Sequence, residues 1–337
     1  MRLSILVVSR TAALLNRMLS SLASATTLNG LGVEILCSWN GSKDEEAKIK
    51  NTSGYELLIA QKDPYHFASN MNGLAGKANG DLLLLINDDV ILDSGSIDGA
   101  IQCLESRPEI GLVGARLRDG KGLLTHAGIL FDSRHSPYHQ LDRQVPSEHH
   151  LVLGAPRPVP AVTGAIMLIR REHFNALRFG TDYRVCGEDV GLCLDLRLKL
   201  GLEVWYCPDF SGRHDSESTR ATMPNQQGNA EDMSTMRQLH REFLESAKKP
   251  QLRQELAASI AEAEALRSLE AHRQQEGKQI SSILGYLNGE KNQVDSSPDG
   301  IKALKQELRH WRDNSHALQL QRLQLEQRLQ SDQQVES

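Results

Sequence analysis

The sequence predicts an α/β fold: a mixed, mainly parallel sheet flanked by helices, followed by a helical C-terminal extension. Runs of Leu, Ile and Val at 3–8, where Ser4 is the one polar residue, and at 82–86 are typical of strands buried on both faces. Segments with helical spacing alternate with such runs through most of the first two-thirds of the chain. From about residue 221 onward, strand-type sequence gives way to Gln, Glu, Arg, Ala and Leu.

The first predicted elements alternate between strand and helix. Aliphatic and β-branched runs indicate the strands, and apolar residues spaced three and four apart indicate the helices. A polar turn, "NGS" at 40–42, follows the second strand. The predicted strands are 3–8, 32–39, 55–60 and 81–87, and the predicted helices are 12–24, 43–50 and 68–80.

The later elements are less regular. A helix from 96 ends before Pro108, and a strand and then a strand or hairpin follow it. Residues 132–160 are polar and rich in His and Pro, which is typical of a long surface loop. The remaining predicted elements are strands at 110–117, 123–132, 161–170 and 202–208, and helices at 171–177 and 187–201.

Four parts are predicted along the chain. They are an α/β domain at 1–220, a helical extension at 221–287, a linker at 288–300 and a coiled-coil helix at 301–332. In the last part, seven of nine a/d positions of a heptad repeat are apolar, which favours a coiled coil that joins copies of the chain or a partner protein. The alternative interpretation is a single amphipathic helix docked on its own domain.

Composition excludes some classes of function. The net charge is −5 and the pI is about 6.2, whereas a nucleic-acid-binding protein is usually basic. The five cysteines are odd in number and lack C-x-x-C spacing, so we expect reduced cysteines in the core. No segment has the length of a membrane span. We therefore expect a cytoplasmic protein, which can still contact the inner membrane face peripherally.

Polar residues follow the predicted strands where a parallel sheet would bind a ligand. Asn87, Asp88 and Asp89 come directly after a buried strand, and Asn40 follows an earlier one. Carboxylate oxygens suit Mg²⁺ or Mn²⁺, especially a metal shared with phosphates. The alternative interpretation is a plain turn, because Asn and Asp are common turn residues.

Two further groups lie later in the chain. Glu188 and Asp189 begin a helix, where they complement the helix dipole and where a carboxylate is well placed to act as a general base. His214 can bind a metal and Arg220 can pair with phosphate, although a lone histidine is more often structural.

The order of these features resembles one known layout. The stretches that carry the resemblance are "LSILVVSRTAALLNRMLSSL", "EILCSWNGS", "FASNMNGLAGKANGDLLLLINDDV", "GEDVGLCLDLRLKLGLEVWYCPD" and "HDSESTR". Together they resemble inverting family 2 glycosyltransferases with the GT-A fold, and most of all the rhamnosyltransferase-like branch. The resemblance covers roughly residues 1–220.

The resemblance implies a role for each candidate residue. It implies Asp189 as the general base that deprotonates the acceptor hydroxyl, with Glu188 helping to place the acceptor. It implies a divalent ion, Mg²⁺ or Mn²⁺, held by Asp89 and His214. The donor nucleotide sugar would be bound by Ser9, Asn40, Asn72, Asn87, Asp88 and Arg220.

The implied function is transfer of a sugar from a nucleotide-diphosphate sugar to a hydroxyl of a glycan or lipid-linked glycan. The sequence departs from the family pattern at Trp39, Gly191 and Asp195, and no aromatic residue follows the first strand. A nucleotidyltransferase is less consistent, because no Gly-rich basic loop follows that strand. The non-enzymatic alternative is a weakly active or inactive transferase-like scaffold that assembles partners through its coiled coil.

Overall fold

The computed structural model describes residues 2–214 except 133, 150, 151 and 153, then residues 227–246 and scattered helical residues between 255 and 274. The strands are β1 (Leu3–Ser9), β2 (Val33–Trp39), β3 (Glu56–Gln61), β4 (Leu82–Asn87), β5 (Val90–Leu92), β6 (Ile110–Arg118), β7 (Leu124–His126), β8 (Ile129–Phe131), β9 (Pro137–His139), β10 (Arg157–Pro158), β11 (Ile166–Arg170) and β12 (Glu203–His214). The helices are α1 (Ala12–Ala25), α2 (Lys43–Glu46), α3 (Phe67–Ala75), α4 (Ser96–Glu105), α5 (Arg171–Leu177), α6 (Glu188–Asp195) and α7 (Gln227–Glu245).

A mixed sheet in the order β10-β12-β6-β11-β4-β1-β2-β3 forms the centre of the fold. β1 lies between β4 and β2 and pairs in parallel with both. Every residue of β1 is buried, since helices cover both faces of a parallel sheet. The carboxyl ends of β1, β2 and β4 therefore meet at one edge.

The second half of the sheet reverses direction. β11 pairs antiparallel with both β4 and β6, and β12 runs parallel to β6. A register shift between Cys207 and Ser211 bends β12, which then continues to His214. Beyond this shift β12 also pairs antiparallel with β5, the short strand that follows Asn87-Asp88-Asp89.

The α/β prediction with a mixed, mainly parallel sheet is confirmed, with local differences. β12 was predicted to end at 208, before the register shift, and it extends six residues further. The predicted loop at 132–160 contains β9 and β10. The predicted helix at 43–50 is a single turn, Lys43–Glu46, and α6 passes into a π-helical turn at Leu196–Leu200.

One compact unit comprises Met1–Leu266. The predicted boundary at 220 falls within 215–226, outside the described residues, as do the predicted linker and coiled-coil helix. These parts of the predicted organisation stay predictions. Within the part of the chain that is described, no helix combines the length and the apolar character that a membrane crossing requires.

Candidate active site

Ser9 and Asp88 join the ends of two neighbouring strands. Ser9 is buried at the end of β1, and its Oγ donates a hydrogen bond of 2.6 Å to Asp88 Oδ2. The backbone N–H of Asn40 donates to the Ser9 carbonyl at 2.8 Å. The polar ends of β1, β2 and β4 thus lie together, as their parallel register requires.

Asn40 presents an unsatisfied acceptor at this edge. Its Nδ2 donates to the carbonyl of Asp63, whereas its buried Oδ1 accepts no hydrogen bond from any described residue. Leaving such an acceptor unsatisfied costs about 1–3 kcal/mol. The neighbouring Trp39 ring is almost fully buried, so Asn40 is the residue at the end of β2 that carries an unsatisfied polar atom.

Asp89 and His214 form a second cluster at the same edge. Because β5 pairs with the end of β12, His214 lies opposite Val90, one residue after Asp89. His214 Nε2 is 3.2 Å from Asp89 Oδ1, and 14% and 10% of the two side-chain surfaces are exposed. The extension of β12 past its register shift is what brings this histidine to the acidic turn.

The acidic turn carries more negative charge than its surroundings balance. The pKa of Asp88 is raised to about 6, chiefly by burial and also by the charge of Asp89, while the hydrogen bond from Ser9 and the charge of Arg10 oppose the shift. A divalent cation relieves this kind of repulsion, and carboxylate and imidazole are suitable ligands for Mn²⁺.

These residues fit an ion that is shared with a substrate. The described residues contain no group of three or more His, Cys, Asp or Glu side chains that could hold a metal on its own. Asp89 and His214 would supply two ligands, and the remaining positions suit water and phosphate oxygens, as is usual for Mg²⁺-type sites.

Asp189 is fixed at the start of α6. Its Oδ2 accepts a hydrogen bond of 2.7 Å from the backbone N–H of Gly164, and its Oδ1 accepts one of 2.8 Å from Val190. Gly187 precedes the helix with φ of 109°, a conformation that strongly favours glycine. Glu188 is the first residue of α6, directly beside Asp189.

Gly164 and Ala165 connect the two acidic motifs. The N–H of Gly164 binds Asp189, and the carbonyl of Ala165 accepts a hydrogen bond of 2.8 Å from the N–H of Asn87. The Asn87-Asp88-Asp89 turn and the Asp189 carboxylate are therefore attached to two consecutive residues. This arrangement brings the acidic turn and the Asp189 carboxylate close together.

His126 is a buried histidine, influenced by the charge of His214, that sequence reasoning did not single out. Its Nδ1 lies 3.1 Å from His139 Nδ1, and its Nε2 accepts a 3.4 Å hydrogen bond from the N–H of Thr163. Burial, then repulsion from His139 and His214, lowers its pKa well below the ordinary value, so the ring is neutral. A histidine within an apolar strand gave no signal of this position.

Tyr65 was also missed. The half-exposed ring follows β3 in a turn whose Asp63 contacts Asn40 and whose His66 Nε2 is 3.1 Å from the carbonyl of Tyr183. Burial and then the charge of Glu188 raise the pKa of Tyr65, with smaller contributions from the acidic turn. Tyr65 thus supplies an aromatic surface at the edge of the sheet, where none follows β1.

Among the predicted donor residues, Asn72 makes its contacts within the protein. Asn72 uses both ends of its amide on Phe179: Nδ2 donates to the carbonyl and Oδ1 accepts from the N–H, each at 2.9 Å. Asn72 therefore holds the chain ahead of α6, and its contact with a donor stays a prediction. Arg220 lies outside the described residues.

The departures from the family pattern in α6 have local explanations. A Cβ at Gly191 would stand 3.0 Å from the hydroxyl oxygen of Tyr183, so a larger residue there would require the buried tyrosine to shift slightly. Asp195 pairs with His240 of α7 at 3.1 Å and with Lys199 at 2.8 Å. Both substitutions serve packing within this chain.

Residues 2–248 match the model of a family described as "Glycosyltransferase like family 2". Over 165 residues the chain is 32% identical to the O-antigen biosynthesis protein RfbC of Myxococcus xanthus, covering 47% of this chain and 13% of that protein. An uncharacterized protein, y4gI, of Sinorhizobium fredii is 26% identical over 182 residues, which cover 51% of this chain and 20% of that one. The matches thus span a fifth or less of the length of these relatives.

Solved structures share the fold. The mannosyltransferase PcManGT of Pyrobaculum calidifontis, in complex with GDP-Man and Mn²⁺, superposes with a TM-score of 0.52 at 14% identity, covering 85% of this chain and 80% of that one. GalNAc-T7 with UDP, GalNAc and Mn²⁺ gives a TM-score of 0.51 at 16% identity, with coverage of 69% and 47%. These similarities establish a GT-A-like fold.

Proposed function

The chain belongs to the glycosyltransferase-like family 2, and from that premise we propose that it is an inverting sugar transferase. It moves a sugar from a nucleotide-diphosphate sugar to a hydroxyl of a glycan or lipid-linked glycan acceptor. The observation that supports this proposal is the attachment of both acidic motifs to the consecutive residues Gly164 and Ala165, which brings the Asn87-Asp88-Asp89 turn close to the Asp189 carboxylate.

Asp189 is the proposed general base. Its carboxylate takes the proton of the acceptor hydroxyl while the hydroxyl oxygen forms a bond to the anomeric carbon. The bond from that carbon to the diphosphate oxygen breaks on the opposite face, so one displacement inverts the configuration. The hydrogen bonds from the backbone N–H groups of Gly164 and Val190 fix the direction of this carboxylate.

The remaining residues at the edge hold the donor. Asp89 and His214 would hold a divalent ion, and that ion would supply positive charge to the leaving diphosphate. Asn40 Oδ1 accepts a hydrogen bond from the nucleotide, because it is buried without a donor among the described residues. Ser9 keeps Asp88 oriented, Asn87 lies at the same turn, and Glu188 borders the acceptor.

The biological role is proposed from the relatives. One curated relative is an O-antigen biosynthesis protein, and this supports a role in cell-surface polysaccharide synthesis. The resemblance to the rhamnosyltransferase-like branch makes a nucleotide-activated deoxyhexose the first donor to test. GDP-mannose and UDP-sugars follow, because the two solved neighbours contain GDP-Man and UDP. We further propose a cytoplasmic location with peripheral contact at the membrane that carries the lipid-linked acceptor.

The test is a panel of nucleotide sugars screened with Mn²⁺ for thermal stabilisation, followed by transfer assays on oligosaccharide acceptors. A donor that binds the folded state raises the melting temperature by mass action. ¹H NMR of the product then reads its anomeric configuration. A product that keeps the donor configuration contradicts single displacement, and sugar release without an acceptor dependence contradicts transfer.

A further inference from the structure

A carboxylate from α7 binds the loop that leads into α6. Asp232 is buried, and its Oδ2 accepts hydrogen bonds from the backbone N–H groups of Arg184 at 3.1 Å, Val185 at 2.6 Å and Cys186 at 3.1 Å. Its Oδ1 accepts a further bond of 3.0 Å from Arg184. Three successive backbone N–H groups that converge on one oxygen form an anion-binding concavity.

Two other contacts fix α7 against the same region. His240 Nε2 is 3.1 Å from Asp195 Oδ1 at the end of α6, and the buried Met236 lies one turn before His240. The Cε of Met233 would be 3.0 Å from a Cβ on Gly187, the residue that precedes Glu188. The loop at 184–187 is therefore held from one side by a single face of α7.

We propose that Asp232 is a positioning residue for the acceptor base. This inference rests on the proposed function, in which Asp189 accepts the proton of the acceptor. The carboxylate of Asp232 determines the path of residues 184–186, and that path determines where α6 begins and where Glu188 and Asp189 lie. Asp232 contacts no reacting atom in this account and acts only through the loop.

The charge of Asp232 is central to this role. Hydrogen bonds from backbone N–H groups to an ionised carboxylate are stronger than those to a neutral oxygen. Glu231, the preceding residue, has 62% of its side chain exposed, and its carboxylate approaches Arg184 Nη1 only at 3.9 Å. Glu231 therefore offers a matched control that removes one carboxylate from the same helix without entering the concavity.

The experiment compares Asp232→Ala, Asp232→Asn and Glu231→Ala in the full-length chain. We expect Asp232→Ala to lower kcat for transfer by about 100-fold, the cost of a displacement of about 1 Å at a reacting group. Binding of nucleoside diphosphate with Mn²⁺ should stay unchanged, since the donor residues lie on other elements. Asp232→Asn keeps one acceptor oxygen, so its kcat should lie between those of Asp232→Ala and the wild type. The kcat of Glu231→Ala should equal that of the wild type.

Formate provides a rescue that a general packing defect would not show. In Asp232→Ala the concavity is vacant, so formate should restore part of the transfer rate while it leaves the wild type and Glu231→Ala unchanged. If Asp232→Ala does not fold, Asp232→Asn carries the comparison. Wild-type transfer in either Asp232 variant overturns the proposal, as does a parallel loss of donor binding with no response to formate.

Hydrogen exchange separates this proposal from the proposed function. In Asp232→Ala the amides of 184–186 should lose protection and regain it with formate, whereas those of β1 and β4 should keep theirs. Unchanged protection at 184–186 overturns the role of Asp232 whatever the enzyme transfers. A wild type that transfers no sugar, with the exchange result as expected, refutes the proposed activity and the catalytic consequence but leaves the loop contact in place.

Discussion

At the scale of single residues, position at the sheet edge is more informative than residue type. Asn87-Asp88-Asp89 on its own is an ordinary turn, and a lone His214 is an ordinary histidine. Their significance comes from the 3.2 Å distance between Asp89 Oδ1 and His214 Nε2, two residues that are 125 positions apart in the sequence. The proposed metal site depends on that short distance.

Asp89→Ala should remove the metal dependence of donor binding. The variant loses the carboxylate beside His214, so we expect the affinity for nucleoside diphosphate with Mn²⁺ to fall by about 10- to 100-fold, the loss common for changes around a metal ligand. Titration calorimetry with and without Mn²⁺ measures it. Asp44→Ala, at an exposed position in α2, is the control. Equal Mn²⁺ dependence in Asp89→Ala and the wild type would remove Asp89 from the site.

Sequence reasoning identified candidate site residues that directly follow strands or begin helices. Asn40, Asp88 and Asp189 occupy such positions, and the structure places them at one edge. It did not find Tyr65, because an aromatic residue in a turn belongs to no periodic pattern. It also did not find His126, whose burial depends on contacts with distant residues such as Thr163.

At the scale of elements, the pairing of β5 with β12 holds the acidic turn. Asp93, just after β5, accepts hydrogen bonds of 2.6 and 2.7 Å from Arg118 and one of 2.6 Å from Ser211. Burial would raise the pKa of Asp93, but the hydrogen bonds from Arg118 and Ser211 outweigh it and lower the pKa. The contacts among Asp93, Arg118 and Ser211 therefore connect β5, β6 and β12.

Asp93→Asn should destabilise the fold in a manner that depends on pH. Because the folded-state pKa lies below the unfolded value, the carboxylate stabilises the fold above the unfolded pKa, and that contribution is lost as pH falls through the folded pKa. We expect a loss of about 1–3 kcal/mol at pH 7, reduced from buried-pair values because about a third of each side chain is exposed.

Denaturant unfolding of Asp93→Asn and the wild type measures this loss between pH 3 and pH 7. The difference in free energy of unfolding should be constant near neutrality and should shrink below about pH 4, near the reference pKa of Asp. Asp81→Asn, at an exposed position before β4, is the control. A difference that does not change with pH would mean that the ionised pair is not its source.

Local patterns predicted most of the elements but not the full course of β12. The strands and helices up to β4 follow hydrophobic periodicity, which is a local property. Pro208 removes a backbone donor, and the register shift after Cys207 interrupts the pattern, so the sequence indicated an early end. The continuation to His214 is stabilised by pairing with β5 and β6, which no local pattern records.

At the scale of the whole molecule, described residues after 226 contact the α/β domain. α7 contacts the loop before α6 through Asp232 and α6 itself through His240, and Arg197 donates to Glu255 at 3.1 Å. The compact unit accordingly runs to Leu266. The sheet order and these contacts depend on residues far apart in sequence, so composition alone could not predict them.

Two truncations test how far the catalytic unit extends. A chain of residues 1–266 should keep transfer close to the full-length rate, because the contacts of α7 and Glu255 are retained. A chain of residues 1–226 lacks α7 and should lose transfer. If the predicted coiled coil forms oligomers, light scattering should give a smaller assembly for both. Equal activity of the two truncated chains would contradict a catalytic contribution from α7.

The central claim is that Asp189 deprotonates the acceptor at an edge it shares with the donor site. Asp189→Asn is the most direct measurement, because the amide keeps the shape of the side chain and cannot accept the proton. We expect kcat for acceptor-dependent transfer to fall by about 10²- to 10⁴-fold, with donor binding unchanged. Turnover equal to that of the wild type would contradict the account.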